Sequence, residues 1–459
     1  MRVFFTNLGC KLNQAENDRL ARDFLAAGHL VVASLDDADL HVVNSCTVTA
    51  AAARSSRQAA RAASRRAPGR PLRTVLTGCY ATGSPAEAAS LAGVDLVVPN
   101  RDKERLLEEV TRAFLSEAET LPAAASSVLP GGSAGAHLRL PPHGNTRALV
   151  KVEDGCDMRC AFCIIPATRG RQRSRPPAEV IAEVRRLAES GYREIVLTGV
   201  QISAYRAGAA FSGREPASAL LGRGQLARRP LGLAHLVREV LAALPAAAIR
   251  TPFATRLRLT SIAPWDLDDE LLALWSDRRL CRHLHLSLQS GADATLRRMR
   301  RPYTAGRYAR LVERARAAVP GVAVTTDVIV GFPGETAAEF EESLATVAAL
   351  GFAKVHVFPF SPRPGTAAAA LPDAVPPAEQ RQRMARMIAV AERSEQDFRT
   401  AHLGRRALVL WERPKDGRGQ GLTDNYIRVF SSAATALRNQ LTEVELVALA
   451  PGGMIGRVA

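Results

Sequence analysis

The sequence predicts an α/β protein in three parts: an N-terminal parallel α/β domain, a central partial (β/α)6 barrel and a small C-terminal β-barrel. Three observations carry this expectation. Apolar strands alternate with helical stretches in two separate series, the pattern of parallel sheets covered by helices. Residues 119–146, rich in Ala, Ser, Gly and Pro and without periodicity, separate the two series as a linker. After residue 400, short strands follow one another across Gly-rich turns, as in a small barrel. At 459 residues the chain is too long for one ordinary core. The expected division is 1–118, the linker 119–146, then 147–398 and 400–459.

In the first series, residues 2–8, 39–44 and 73–77 read as strands, and 14–27 as a helix closed by Gly28. The second series holds six strands, at 148–153, 193–199, 256–262, 283–289, 322–331 and 353–360, with helical stretches such as 178–190 and 305–318 between them. Six β/α repeats make either an open sheet or a curved partial barrel, and both place a site at the carboxyl ends of the strands. Residues 376–400 read as a connecting helix, and 407–412, 426–430 and 443–449 as strands of the terminal barrel.

The formal charge is +16, from 61 Lys and Arg against 45 Asp and Glu. Such an excess favours a polyanionic partner, because cations that neutralise phosphates release counterions. The competing explanation is an arginine-rich gene, since lysine occurs only at positions 11, 103, 151, 354 and 415. No apolar run reaches the roughly 18 residues of a membrane helix, and no signal-peptide pattern opens the chain. A cytoplasmic protein without a membrane partner is expected. Seven cysteines in such a chain point to metal binding or catalysis rather than disulfides.

Cys156, Cys160 and Cys163 fall in a loop directly after the strand at 148–153. A closed iron–sulfur or zinc site takes four ligands, and no fourth Cys or His follows nearby. The set therefore reads as an iron–sulfur cluster with one iron left free for chemistry. A zinc knuckle is the alternative, though it prefers paired C-x-x-C ligands. Cys10, Cys46 and Cys79 are distant in sequence, yet each stands just past an apolar strand, after FFTNLG, HVVNS and TVLTG. If those strands run parallel, the three thiols meet at one carboxyl edge and form a second site; chance placement is the alternative. Cys281 precedes its strand, so a packed free thiol is expected there.

The C-x-x-x-C-x-x-C spacing resembles the radical S-adenosylmethionine (SAM) superfamily, in which the free iron chelates SAM. Two three-cysteine sets in this order resemble the methylthiotransferase family within it. The motifs are GCKLNQAE, NSCTVT and TGCYAT, then DGCDMRCAFCIIP, TRGRQRSR, HLHLSLQSG and DVIVGFPGET, and finally GLTDNYIRV, similar to the RNA-binding TRAM barrel. The resemblance implies two 4Fe-4S clusters, SAM, and a one-electron donor such as flavodoxin or ferredoxin. One cluster cleaves SAM to a 5′-deoxyadenosyl radical, the other carries sulfur, and C–H becomes C–S–CH3.

The resemblance also implies cofactor-binding residues. Phe162 packs near the adenine; Gly199, Val200 and Gln201 meet the SAM amino group; Gln289 and Ser290 approach SAM. Asp327 and Gly331 end the fifth strand where a cofactor comes close, and Phe358 lines the adenine pocket. An ordinary turn explains 199–201 equally simply, and a helix-initiating turn explains 331–335.

The family acts on adenosines beside the tRNA anticodon that carry a threonylcarbamoyl or an isopentenyl group, or on an aspartate of a ribosomal protein. GCKLNQAE and SCTVT fit the threonylcarbamoyl branch, with Ser45 and Ala167 as departures. The expected reaction is methylthiolation of C2 of N6-threonylcarbamoyladenosine at position 37 of tRNA. From Thr400 onward eight Arg and Lys (405, 406, 413, 415, 418, 428, 438, 457) face five Asp and Glu (412, 416, 424, 443, 445), a surplus of +3 that suits RNA. The arginines 54, 57, 61 and 65 share a helical face and either meet RNA or stay solvated; the basic insertion 206–229 reads as disordered, with RNA contact second. A metal-stabilised RNA-binding protein without redox activity is the reading from another class.

Overall fold

The structure is a computed structural model that describes residues 1–62, 72–115, 146–207, 231–244, 255–414, 417–432 and 434–458. The expected linker falls largely, and the basic insertion almost entirely, outside the described residues, as does Arg65. The chain forms two compact units, one of residues 1–144 with 163–171, the other of 145–162 with 172–459.

The first unit is a parallel sheet of β1 (Arg2–Asn7), β2 (Leu30–Val31), β3 (Leu40–Ser45), β4 (Arg73–Gly78) and β5 (Leu96–Val98), in the order β2-β1-β3-β4-β5. Every residue of β3 is buried, as befits a central strand covered on both faces. Val3, Phe5, Phe24, Leu40 and Val42 pack on one face; Val43, Leu76, Tyr80 and Ala81 pack on the other. The first helix runs Lys11–Ala26 and begins earlier than its apolar spacing suggests. Its N-cap is Cys10 itself, in extended conformation, so the thiol stands at a helix N-terminus.

The second unit holds β6 (Arg147–Lys151), β7 (Glu153–Asp154), β8 (Arg173–Ser174), β9 (Glu194–Thr198), β10 (Arg256–Leu259), β11 (Ser261–Ile262), β12 (His283–Leu286), β13 (Ala323–Val330) and β14 (Lys354–Pro359). β10-β9-β6 and β11-β12-β13-β14 are two parallel sheets, and β7 pairs β8 antiparallel. The strand expected at 256–262 breaks at Thr260, whose N–H reaches Leu197 O at 3.1 Å. One segment thereby joins both sheets, and the strands follow sequence order around a partial barrel. Leu257 and Leu259 join the apolar core, whereas Arg256 and Arg258 turn to Glu194 on the opposite face.

The helix Pro377–Thr400 leads into a closed barrel of β15 (Arg406–Trp411), β16 (Gly419–Thr423), β17 (Arg428–Ser431), β18 (Leu441–Ala450) and β19 (Gly453–Val458). Its core is Val409, Trp411, Val429, Val444, Leu446 and Met454. Two of its five strands escaped the sequence pattern because Gly419, Gly421, Gly453 and Gly456 interrupt the β-forming residues. Added Cβ atoms at Gly421 and Gly456 would overlap Val409 and Val444, so glycine there lets small strands close into a barrel. Among the described residues no helix is long and apolar enough to cross a membrane.

Candidate metal centres and cofactor site

In the first unit, β1, β3 and β4 deliver Cys10, Cys46 and Cys79 to one edge. Cys10 follows β1 by three residues, Cys46 directly follows β3, and Cys79 directly follows β4 and opens the helix Cys79–Gly83. Cys46 and Cys79 are buried and Cys10 is exposed. Burial pushes the Cys46 thiol up to about 11, and Cys79 and Cys10 add to the shift while the Val48 amide and Arg169 oppose it.

Two glycines make the approach possible. A Cβ on Gly9 would lie 2.7 Å from Cys46 Cβ and 2.8 Å from its Sγ, and one on Gly78 would overlap the Ser45 backbone. Both residues hold positive φ, 99° and 98°. Ser56 Oγ fixes Cys46 from both sides, accepting from its N–H and donating to its carbonyl, each at 2.9 Å.

Charged residues lie buried in the same unit. Lys103 Nζ donates to Glu16 Oε2 at 2.8 Å and to Asn44 Oδ1 at 3.0 Å, and Arg169 Nη1 donates to Glu16 Oε1 at 2.9 Å. Asn13 donates to Leu8 O and Ser45 O, and Asn100 Nδ2 reaches Cys79 Sγ at 3.7 Å and Thr168 O at 2.8 Å. Asn13 and Glu16 stand in GCKLNQAE and Arg169 in TRGRQRSR, but nothing local to either motif shows that the three meet. Lys103 and Asn100 carried no signal beyond a polar residue near an apolar run.

In the second unit, Cys156 and Cys160 follow β7. Cys163 begins the segment 163–171, which belongs to the first unit. Burial pushes the Cys156 thiol up to about 11, with Cys160, Glu153 and Asp157 adding to the shift and the Met158 amide opposing it. Among the described residues no three His, Cys, Asp or Glu groups are set to grip a single metal ion.

Of the other residues singled out from sequence, Gly199, Val200, Gln201, Gln289, Ser290, Gly331 and Phe358 lie at or just past the carboxyl ends of central strands, Asp327 lies within β13, and Phe162 lies in the cysteine loop. Gly199 follows β9, and a Cβ there would meet Glu153 Oε2 at 2.7 Å. Val200 and Gln201 come next; the Gln201 N–H donates to Glu153 Oε2 at 2.8 Å and its Nε2 to Asp266 Oδ2 at 3.1 Å. Glu153, fully buried at the end of the strand that the sequence predicts, ties this turn to the start of the cysteine loop.

Gln289 holds φ 69°, unusual for a residue with a side chain, and its backbone is bracketed by Asp327 O and the Ile329 N–H, each at 2.8 Å. Ser290 is buried. Asp327 Oδ2 accepts from Ser287 Oγ at 3.1 Å and lies 3.1 Å from His285 Nε2. Burial would raise the Asp327 carboxyl, but His285 leads the contacts that hold it below the ordinary range. Phe162 packs with Ala161, Met299, Phe332 and Ala368. Gly331 leaves no room for a Cβ against Gln380, 2.8 Å away, and Phe358 is 42% exposed. Cys281 is a buried thiol pushed up to about 12 by burial.

A cysteine loop at the carboxyl end of a partial parallel barrel defines a radical SAM enzyme. Residues 150–347 match the Radical SAM superfamily and residues 2–99 match the uncharacterized protein family UPF0004. The threonylcarbamoyladenosine tRNA methylthiotransferase MtaB of Bacillus subtilis (strain 168) is 33% identical over 452 residues, 97% of this chain and 93% of that protein. The protein of the same name from Chlamydia pneumoniae is 33% identical over 454 residues, 98% and 96% of the two chains. Among solved structures, the radical SAM methyltransferase TsrM from Kitasatospora setae, with cobalamin and a [4Fe-4S] cluster bound, has the same fold at a TM-score of 0.53 and 17% identity, over 80% of this chain and 77% of that one. The chain belongs to the MtaB-like radical SAM methylthiotransferases, enzymes whose cofactors are SAM and 4Fe-4S clusters.

Proposed function

We propose that this enzyme methylthiolates C2 of N6-threonylcarbamoyladenosine at position 37 of tRNA, giving 2-methylthio-N6-threonylcarbamoyladenosine. The observation that carries the reading is the delivery of Cys10, Cys46 and Cys79 to one edge of the sheet by the adjacent parallel strands β1, β3 and β4. Sulfur insertion needs a second iron–sulfur site beside the one that makes the radical, and this set is suited to it. Support for the substrate comes from two relatives, similar along almost the whole chain, that are named for it.

In this reading Cys156, Cys160 and Cys163 hold the radical-generating cluster, and Cys10, Cys46 and Cys79 hold the second. Bound, these groups and SAM supply the 5′-deoxyadenosyl radical and the transferred sulfur. Gly199, Val200 and Gln201, held by Glu153, present backbone and amide groups to the SAM amino end. Gln289 and Ser290, in their fixed turn, and Asp327 line the approach; Phe162, Gly331 and Phe358 border the adenine. A flavodoxin- or ferredoxin-type protein is the electron donor, the cell compartment is the cytoplasm, and residues 400–459 contact RNA.

Deleting the gene and analysing tRNA nucleosides by mass spectrometry tests the substrate, together with assay of the reconstituted enzyme on tRNA from the deletion strain. The expected result is loss of the methylthio-threonylcarbamoyl nucleoside in the cell and its formation in the assay. Its persistence in the deletion strain with no product in the assay overturns the reading. Loss of the methylthio-isopentenyl nucleoside instead moves the enzyme to that branch.

A further inference from the structure

The turn after the helix Asp293–Arg298 is built against the cysteine loop. The Ala161 N–H, between Cys160 and Cys163, donates to Met299 O at 3.0 Å. Arg300 then takes a left-handed backbone, φ 58°, although it is not glycine. That reversal sends Arg301 back toward the cysteines. Its Nη1 donates to Cys160 Sγ at 3.4 Å, its Nη2 to Ser287 O at 3.2 Å and its Nε to Tyr303 Oη at 3.2 Å. The guanidinium carbon lies 4.9 Å from the Trp265 ring centre and 5.3 Å from that of Tyr303. Among the described residues Arg301 pairs with no carboxylate; the one group beside it that can carry a full negative charge as a metal ligand is Cys160.

Direction of donation separates this contact from another at the same loop. Cys156 donates its thiol proton to Gln201 Oε1 at 3.6 Å, a bond that needs a protonated sulfur. Arg301 donates to sulfur, so its bond persists, and strengthens, when Cys160 becomes a thiolate on iron. Hydrogen bonds to cluster sulfurs and nearby charge are what set iron–sulfur potentials.

We propose that Arg301 is a positioning residue for the radical-generating cluster, raising the potential at which that cluster accepts its electron through a hydrogen bond and a fixed positive charge at the Cys160 sulfur. In the step concerned the oxidised cluster gains one electron from a low-potential donor, dithionite in the test; no bond forms or breaks and no proton moves. The added negative charge is stabilised by a cation already in place, held by Trp265 and Tyr303 at little reorganisation cost.

The inference rests on the assignment of Cys156, Cys160 and Cys163 to that cluster, so the test separates the two. In the full chain carrying C10A, C46A and C79A only this site can fill. Reconstitution with iron and sulfide should leave about four irons per chain; a chain that takes up none defeats the cluster assignment itself. In that background, midpoint potentials are measured by redox titration with electron paramagnetic resonance for Arg301, Arg301→Lys and Arg301→Gln. The expected result for Arg301→Gln is a tenfold less favourable reduction, about 59 mV more negative for one electron, with Arg301→Lys between it and the parent. If Arg301→Gln does not hold its cluster, the lysine variant alone must show the negative shift. Equal potentials at full iron content overturn the role of Arg301 and leave the cluster assignment standing.

Discussion

The His283 and Tyr426 rings stack with centroids 4.6 Å apart and planes 22° from parallel, joining the amino end of a central strand to a turn of the terminal barrel. Arg258 lies over the same tyrosine, 4.7 Å from its centre. The neighbours of Tyr426 dock as well. Arg258 donates to Asp424 O at 2.8 Å, Arg282 forms an ion pair with the Asp424 carboxylate, and Asn425 Nδ2 reaches Gly321 O at 3.3 Å. Asp424, Asn425 and Tyr426 of GLTDNYIRV are thus turned toward the amino end of the central barrel, the end that in such barrels serves stability rather than chemistry.

Replacing Tyr426 by alanine removes an aromatic stack and a cation–π contact together. The expected loss of stability is about 1–3 kcal/mol, read as a lower urea midpoint, and Tyr426→Phe should keep most of it because the ring remains. A variant that keeps its stability but loses tRNA affinity would instead make Tyr426 an RNA contact.

Glu194 anchors the same end of the barrel. It is fully buried, with Arg256 Nε at 2.7 Å from one carboxylate oxygen and Arg258 Nε at 2.8 Å from the other. Burial alone would raise its pKa, but Arg258 and Arg256 outweigh it and hold the carboxyl well below the ordinary range. Glu194→Gln leaves two buried cations without the charge that compensates them, and should cost about 3–5 kcal/mol at neutral pH. The folded pKa is the lower one, so this stabilisation is complete above the unfolded value near 4.3 and fades as pH falls toward the folded value. Urea denaturation at a series of pH values should find a constant gap between parent and variant down to about pH 5, narrowing below about pH 4.

Cysteine placement was legible because it needs only strand ends: apolar runs reveal where β1, β3 and β4 stop, and the thiols follow. What surrounds the two sets of cysteines was not. Glu153, Arg301 and Lys103 act through partners 48, 141 and 87 residues away, at Gln201, Cys160 and Glu16. No local pattern distinguishes them from solvated charges. The break at Thr260 was hidden for a similar reason, since alternating leucines continue through a joint that only the neighbouring sheets define. Short terminal strands were lost where glycine serves closure instead of strand propensity.

Glycine at two of the cysteine-bearing turns leads to a contrast that iron analysis can read. Gly9, Gly28 and Gly78 all hold positive φ, at 99°, 82° and 98°. A Cβ at Gly28 meets nothing within 4 Å, so Gly28→Ala bears only the backbone strain, about 1–2 kcal/mol. At Gly9 the same methyl presses on Cys46 Cβ and Sγ, 2.7 and 2.8 Å away, a side chain that can move. Gly9→Ala should therefore fold but displace one sulfur, dropping reconstituted iron from about eight to about four per chain. At Gly78 the methyl meets the backbone of Ser45 in the central strand β3, which cannot move without breaking its pairing with β4. Gly78→Ala should then lose soluble, cooperatively folded protein, not iron alone. Equal iron content and equal melting temperature in the Gly9 and Gly28 variants would show that Cys46 is not confined as described.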